Sequence, residues 1–108
     1  MWYDFIKRTM EVVCMILAID AGNSKISLGV YKDEQLIHHW NMETETNKTA
    51  DEYAMHLYAF FNYEGIRFSD IDGIIISSVV PPIMHELEEM CRKYFHVTPL
   101  IVGPGVKT

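Results

Sequence analysis

Residues 12–19 form a run of eight apolar side chains that stops abruptly at Asp20, and this boundary limits the possible folds more than any other feature. The run is rich in β-branched residues and is too short to cross a membrane as a helix, which needs about 20 apolar residues. A short, continuous apolar run of this kind is typical of a strand covered on both faces. The sequence therefore predicts a buried first strand that ends at a carboxylate.

The residues that follow Asp20 predict two further strands joined by tight turns. Apolar side chains alternate with small or polar ones over residues 26–31, and the alternation resumes over residues 35–42. The polar residues 32–34 separate these two runs. The first three strands should therefore form an antiparallel meander.

The second half of the chain predicts two helices. Thr49 and Glu52 have the spacing of a capping box at a helix start, and Gly65 is a suitable residue to end that helix. Pro81 and Pro82 suit the first turn of the second helix, because proline has no backbone N–H to leave unpaired there. The apolar positions expected to face the core are Tyr53, Leu57, Phe60 and Phe61 in the first helix, and Ile83, Leu87, Met90, Cys91 and Tyr94 in the second.

Apolar runs at residues 71–80 and 98–102 predict a fourth and a fifth strand. A right-handed crossover through the first helix places strand 4 beside strand 1, and the second helix carries strand 5 outward. The expected fold is therefore α/β, a ribonuclease-H-like half-domain with a mixed five-stranded sheet in the order 3-2-1-4-5 and two helices. Strands 1, 4 and 5 would be parallel, so their carboxyl ends share one edge, where such sheets commonly bind ligands.

Three loops should meet at that edge: residues 20–24, the pair Ser77 and Ser78, and residues 103–105. In the first loop, Gly22 would permit an unusual backbone shape, and the N–H groups after it could converge on a phosphate. A carboxylate beside a phosphate is unfavourable without a cation between them, so Asp20 suggests Mg²⁺ held partly through water. The alternative is an ordinary hairpin turn in which Asp and Asn hydrogen-bond their own backbone. Similarly, Ser77 and Ser78 could contact substrate or only cap a strand.

Other features of the sequence argue against several further functions. With 9 basic and 15 acidic residues, the formal net charge of -6 disfavours binding to nucleic acid or to an anionic membrane. Residues 103–108 lack the spacing of a Walker A loop, and His38 and His39 should point to opposite faces of a strand. A metal-dependent nuclease needs several converging carboxylates, which strand 4 does not supply. Cys14 and Cys91 form no metal or disulfide motif and should be reduced and buried.

Several segments resemble the type III pantothenate kinases, which belong to the superfamily of sugar kinases and actin. Residues 19–24 are similar to the family's first phosphate loop, Asp-x-Gly-Asn-Thr, with Ser24 in place of the commoner threonine. Residues 47–53, 71–82 and 102–108 are similar to further family segments in the same order. The resemblance covers residues 15–108, which we interpret as one domain, whereas residues 1–14 match nothing in the family and are interpreted as an N-terminal extension.

This resemblance implies ATP-dependent phosphorylation of pantothenate, the first step toward coenzyme A. It also implies a cytoplasmic homodimer that uses Mg²⁺ and a monovalent cation, K⁺ or NH₄⁺. Carried over by position, Asp20 would be the metal-associated acid. The residues expected along the ATP-phosphate loop are Asp20, Ala21, Gly22, Asn23, Ser24, Lys25 and Ser27.

Members of the family continue beyond the position of Thr108. A Gly-Ala-Asp-Arg segment there carries the proposed catalytic base and pantothenate contacts, and a second half carries the other phosphate loop. The resemblance therefore assigns no catalytic residue up to Thr108, because the proposed catalytic Asp of the family lies after it. We expect the chain to be the N-terminal half of such a kinase and to be inactive alone. The alternative is a non-catalytic phosphate-binding or assembly module that acts with a separately encoded second half.

Overall fold

The computed structural model of this chain describes residues 14–102, which form a five-stranded sheet and two helices. The proposed extension at residues 1–14 lies outside the described residues except for Cys14, as does the bend at residues 103–105. The strands are β1 (Met15–Ala21), β2 (Lys25–Lys32), β3 (Gln35–Glu43), β4 (Gly73–Ser78) and β5 (Leu100–Val102). The helices are α1 (Ala50–Glu64) and α2 (Pro81–Met90), with a 3₁₀ turn at Phe68–Asp70.

The sheet has the strand order and the strand directions that the sequence predicts. Its order is β3-β2-β1-β4-β5, with β1, β2 and β3 antiparallel and with β1, β4 and β5 parallel. Val102, the last described residue, pairs with Ser77, and Ser77 pairs with Asp20 on its other side. The carboxyl ends of the three parallel strands therefore lie at one edge, as expected.

The main core lies between one face of the sheet and the two helices. Alternate residues of β1, namely Leu17, Ile19 and Ala21, are buried in the same apolar cluster as Leu57 of α1 and Leu87 of α2. Each fully buried Leu or Ile stabilises the fold by about 1.5–3 kcal/mol relative to exposure. The other residues of β1, including Asp20, point to the opposite face of the sheet, which the two helices do not cover.

Helix α1 begins as the sequence predicts. The Thr49 hydroxyl accepts the Glu52 N–H at 3.2 Å, and a Glu52 carboxylate oxygen accepts the Thr49 N–H at 2.9 Å. These bonds from Thr49 lower the pKa of the Glu52 carboxyl from its ordinary value. Glu86 of α2 accepts the Ala50 N–H at 2.8 Å, so the second helix also caps the first.

The ends of several strands differ from the predicted ones. Strand β1 continues through Asp20 and Ala21, because both residues still pair with β2 and with β4. Strand β4 covers Gly73–Ser78 rather than residues 71–80, because a 3₁₀ turn precedes it and the turn into α2 follows it. Strand β3 extends one residue further than predicted, to Glu43, and β5 starts at Leu100 rather than at residue 98.

The end of the second helical segment also departs from the predicted α-helical spacing. After Met90 the chain continues as a π-helical turn, Cys91–Phe95, which the His96 N–H closes on the Cys91 carbonyl. The wider turn buries Phe95, and Tyr94 packs against the core only in part. The Tyr94 hydroxyl instead donates to the Asp51 carboxylate at 2.6 Å, and this bond holds the pKa of Asp51 below its ordinary value.

Both cysteines are free and buried, as the sequence predicts. Burial raises the pKa of the Cys91 thiol to about 12, so this side chain remains a neutral thiol near pH 7. Within residues 14–102, no helix combines the length and the apolar composition needed to cross a membrane.

Replacing Gly65 with alanine tests the predicted end of α1. Gly65 has a left-handed backbone (φ 78°), and a Cβ placed there would meet no atom within 4 Å, so the cost comes from the backbone alone. We expect Gly65→Ala to lower the free energy of unfolding by about 1 kcal/mol in urea titrations. Gly65→Asn should cost less, because Asn tolerates this conformation better, and equal stability of all three proteins would contradict the assignment.

Candidate functional site

Asp20 lies between two hydroxyl-bearing neighbours on the sheet face opposite the helices. It pairs with Ser27 of β2 and with Ser77 of β4. Paired residues of adjacent strands point to the same face, with their Cβ atoms about 4.5–5.5 Å apart in an antiparallel pair. The Asp20 side chain is exposed, so the register alone places one accessible carboxylate between two hydroxyls.

The turn after Asp20, residues 22–24, is held by main-chain and side-chain hydrogen bonds. The Gly22 N–H donates to the Lys25 carbonyl at 2.9 Å. The Thr44 hydroxyl donates to the Gly22 carbonyl at 2.8 Å, and the Thr44 N–H donates to the Ser24 carbonyl at 3.1 Å. Within residues 14–102, the N–H groups of Asn23 and Ser24 have no hydrogen-bond partner. The turn therefore presents two unpaired donors at its exposed tip.

The simple hairpin alternative, in which Asp20 and Asn23 hydrogen-bond their own backbone, is not what the structure contains. In the part of the chain that the structure describes, neither side chain makes such a bond. Main-chain contacts and Thr44 close the turn instead. Both polar side chains consequently remain available to a ligand.

The absence of a side chain at Gly22 matters for a reason other than the one predicted. Among the described glycines only Gly65 has a positive φ, so the prediction that Gly22 supplies an unusual backbone shape is wrong. A Cβ on Gly22 would lie 3.3 Å from the Lys25 carbonyl oxygen, which is a tight contact. Gly22 therefore permits close approach of the two strand ends.

Ala21 and Lys25 contribute to the edge in different ways. The Ala21 side chain is buried in the core, and its carbonyl accepts the Val79 N–H at 3.2 Å, so this residue can offer a ligand very little. Lys25 begins β2, is exposed and pairs with Glu43 of β3. Within residues 14–102 its ammonium group makes no ion pair, so it can supply positive charge at the same edge.

The start of α2 lies close to the turn but offers no spare donors. Pro81 and Pro82 have no N–H, and the Ile83 N–H donates to the Val80 carbonyl at 3.1 Å. The Ser78 hydroxyl accepts the Val80 N–H at 3.0 Å, so Ser78 caps the strand end, one of the two functions considered for it. Within residues 14–102, the backbone donors left for an anion at this edge are therefore the N–H groups of Asn23 and Ser24.

The donor set around Asp20 fits a water-held Mg²⁺. Mg²⁺ keeps several waters and is usually bound through one or two carboxylates together with substrate phosphates. Within residues 14–102, no three His, Cys, Asp or Glu side chains lie together as a ligand group. The described residues thus offer one exposed acid and two hydroxyls, and not the converging carboxylates of a two-metal nuclease.

Three residues that the site predictions omitted take part in this arrangement. Ser77, weighed only as a possible contact, is a direct neighbour of Asp20, and Asn41 of β3 accepts the Ser27 hydroxyl at 3.0 Å. The alternation of β3 could have indicated Asn41, because it falls on the same face as Ser27. No local pattern identifies Thr44, since its two bonds to the turn depend on how β3 ends beside β2.

The sequence predicts that residues 103–105 reach the same edge. These residues lie outside the described ones, as does Thr108, after which the resemblance places the catalytic Asp of the family. The last described residue before this loop is Val102, whose pairing with Ser77 places it at the edge. The absence of a catalytic residue up to Thr108 therefore stays a prediction.

Sequence comparison identifies relatives over most of the chain. The family model for type III pantothenate kinase matches residues 16–108. A type III pantothenate kinase from Halalkalibacterium halodurans is 62% identical over 94 residues, which make up 87% of this chain. Those residues are 37% of the relative, so the chain spans little more than a third of the length of this kinase.

Solved structures share the fold at much lower sequence identity. A Bacteroides thetaiotaomicron protein with an actin-like ATPase fold and unknown function aligns with a TM-score of 0.60 and 9% identity, over 94% of this chain and 37% of that one. A putative N-acetylglucosamine kinase from Porphyromonas gingivalis gives 0.59 and 18%, over 82% and 34%. These similarities confirm the predicted fold class.

Replacing Gly22 with alanine tests why a glycine lies there. The two possible reasons are the short distance to the Lys25 carbonyl and a strained backbone conformation. The Lys25 carbonyl must move by a few tenths of an ångström, which weakens the bond from the N–H of residue 22. We expect faster hydrogen exchange of that amide, with a smaller loss of unfolding free energy than Gly65→Ala produces. A loss as large as that of Gly65→Ala would contradict this expectation and would mean that the Lys25 carbonyl cannot move aside.

Proposed function

Because this chain belongs to the type III pantothenate kinase family, we propose that its turn at residues 22–24 holds the phosphates of ATP during phosphorylation of pantothenate. One observation supports this assignment above the others. Within residues 14–102, the turn that follows the exposed Asp20 carboxylate has two unpaired N–H groups, those of Asn23 and Ser24. A phosphate and its cation need this combination of neutral donors and one acid.

Each residue of the turn has a distinct task in this proposal. The Asn23 and Ser24 N–H groups donate to phosphate oxygens, and the Ser24 hydroxyl and the Lys25 ammonium add further donors. The Ser27 hydroxyl donates to Asn41, so it lies along the loop with an acceptor oxygen and no spare proton. Asp20 orients water molecules around Mg²⁺, with the Ser77 hydroxyl beside it. Bound Mg²⁺ supplies positive charge that neutralises the phosphates next to Asp20.

Phosphoryl transfer of this type depends on positioning and charge neutralisation more than on covalent chemistry. The sheet edge suits this because the register of β1, β2 and β4 fixes Asp20, Ser27 and Ser77 before any ligand arrives. Rigid strands hold these groups more accurately than a flexible loop could.

We extend the proposal to the properties that the resemblance implies: a homodimer in the cytoplasm, a requirement for K⁺ or NH₄⁺, and a place at the first step toward coenzyme A. These rest on family membership alone. The site geometry supports only the ATP and Mg²⁺ part of the proposal.

Replacing Asp20 with asparagine tests the metal assignment. We expect the wild-type chain to bind ATP more tightly with Mg²⁺ than without it, and Asp20→Asn to lose this difference. Without Mg²⁺ the variant should bind ATP at least as well as the wild type, because a negative charge beside the phosphates is gone. Titration calorimetry or amide NMR measures these affinities.

The matched control is Glu89→Gln, which removes an exposed carboxylate of α2 that makes no hydrogen bond within residues 14–102. This variant should keep the wild-type dependence on Mg²⁺. An equal response to Mg²⁺ in the wild type and in Asp20→Asn would refute the metal assignment.

The 108-residue chain alone should form no phosphopantothenate. Its described residues supply one phosphate-binding turn, whereas phosphoryl transfer also needs the group that accepts the hydroxyl proton of pantothenate, which the resemblance places after Thr108. An assay of ADP release with ATP, Mg²⁺, K⁺ and pantothenate measures this, with the full-length Halalkalibacterium halodurans kinase as the positive control. Turnover by the purified chain would contradict the expectation. Activity that appears only with a separately encoded second half would favour the assembly-module alternative.

A further inference from the structure

We infer that Thr44 is a positioning residue for the proposed phosphate turn, because it fixes the direction of the Asn23 N–H. The inference rests on the proposed function, since it concerns how the peptide groups of residues 22–24 are oriented before phosphate binds. Its basis is the pair of hydrogen bonds that Thr44 donates, one from its hydroxyl and one from its backbone.

The Thr44 hydroxyl sets the orientation of the peptide between Gly22 and Asn23. In a planar trans peptide, the C=O of one residue and the N–H of the next point in opposite directions. The Thr44 hydroxyl bonds the Gly22 carbonyl at 2.8 Å, so the Asn23 N–H must point away from Thr44. A carbonyl oxygen repels a phosphate oxygen, and a turned peptide would therefore replace an attraction by a repulsion.

The same residue fixes a second peptide unit of the turn. The Thr44 N–H bonds the Ser24 carbonyl at 3.1 Å, which holds the peptide between Ser24 and Lys25. Thr44 directly follows β3, whose pairing with β2 brings it beside the turn. Its side chain is half-buried, so its hydroxyl faces less competition from water than a fully exposed one.

Two other contacts hold the residues that flank the turn independently of the Thr44 hydroxyl, one across the hairpin and one between the end of β1 and the residue after β4. The Gly22 N–H bonds the Lys25 carbonyl at 2.9 Å, and the Val79 N–H bonds the Ala21 carbonyl at 3.2 Å. Removing the hydroxyl should leave these bonds, and the bond from the Thr44 N–H, in place. Only the peptide between Gly22 and Asn23 loses a hydrogen bond. The affinity for the ligand should therefore decrease more than the free energy of unfolding.

The test uses the 108-residue chain and amide NMR during titration with MgATP, with MgCl₂ alone as the reference titration. Addition of MgATP should shift the Asn23 and Ser24 amide signals of the wild type. Thr44→Val keeps the shape of the side chain but lacks the hydroxyl. We expect it to bind MgATP about threefold to tenfold more weakly, the usual effect of one hydrogen bond. The chemical-shift change that MgATP causes should decrease most at the Asn23 amide.

Two variants separate positioning from a general structural effect. Thr44→Ser restores the hydroxyl and should bind within about twofold of the wild type. Thr98→Val makes the same chemical change at an exposed residue just before β5, at the opposite end of the parallel strands, and should bind like the wild type. If Thr44→Val loses its folded spectrum, Thr44→Ala provides the same comparison.

The outcomes distinguish this inference from the proposed function. If MgATP shifts neither turn amide in the wild type, the proposed function fails and the inference falls with it. If the wild type responds and Thr44→Val binds equally well, only the inference about Thr44 is overturned. Weaker binding by Thr44→Val that Thr44→Ser does not rescue would likewise overturn it, since the hydroxyl would not be the group responsible.

Discussion

The pairing of β1 on both sides is the constraint on which the rest of the structure depends. This strand is antiparallel to β2 and parallel to β4, and its register with both neighbours continues to Ala21. Because strand side chains alternate, a slip of one residue would move Leu17 and Ile19 out of the core and turn Asp20 into it. The apolar packing against the helices and the position of the acid are therefore fixed by the same set of backbone bonds.

The second face of the sheet explains why a continuous apolar run can end in an exposed carboxylate. On this face, Ile16 and Ile75 belong to a smaller buried cluster, whereas Asp20 and Ser77 lie further along the same strands. In β1 and β4, polarity thus changes toward the carboxyl edge. The abrupt boundary in the sequence at Asp20 corresponds to the point where this face of β1 becomes exposed.

Sequence patterns predicted the parts of this structure that depend on local periodicity and capping. The capping box at Thr49 and the glycine that ends α1 followed from residues close together in the chain. The strand order followed from the predicted order of the elements and the right-handed crossover rule. The π-helical turn that buries Phe95 and the space that Gly22 provides could not be predicted in this way. The first depends on packing against distant segments, and the second on how closely two strand ends approach, which neither propensity nor spacing encodes.

The acidic character of the chain clarifies why the backbone must supply much of any phosphate site. With a formal net charge of -6, the molecule as a whole repels an anion, so attraction has to be local. The two prolines at the start of α2 remove the donors that a helix would otherwise offer there. Within residues 14–102, what remains are the turn amides and Lys25, together with the cation that we propose beside Asp20. Such a site depends on peptide direction more than on side-chain charge, so its selectivity for phosphate is set by the residues that hold the turn.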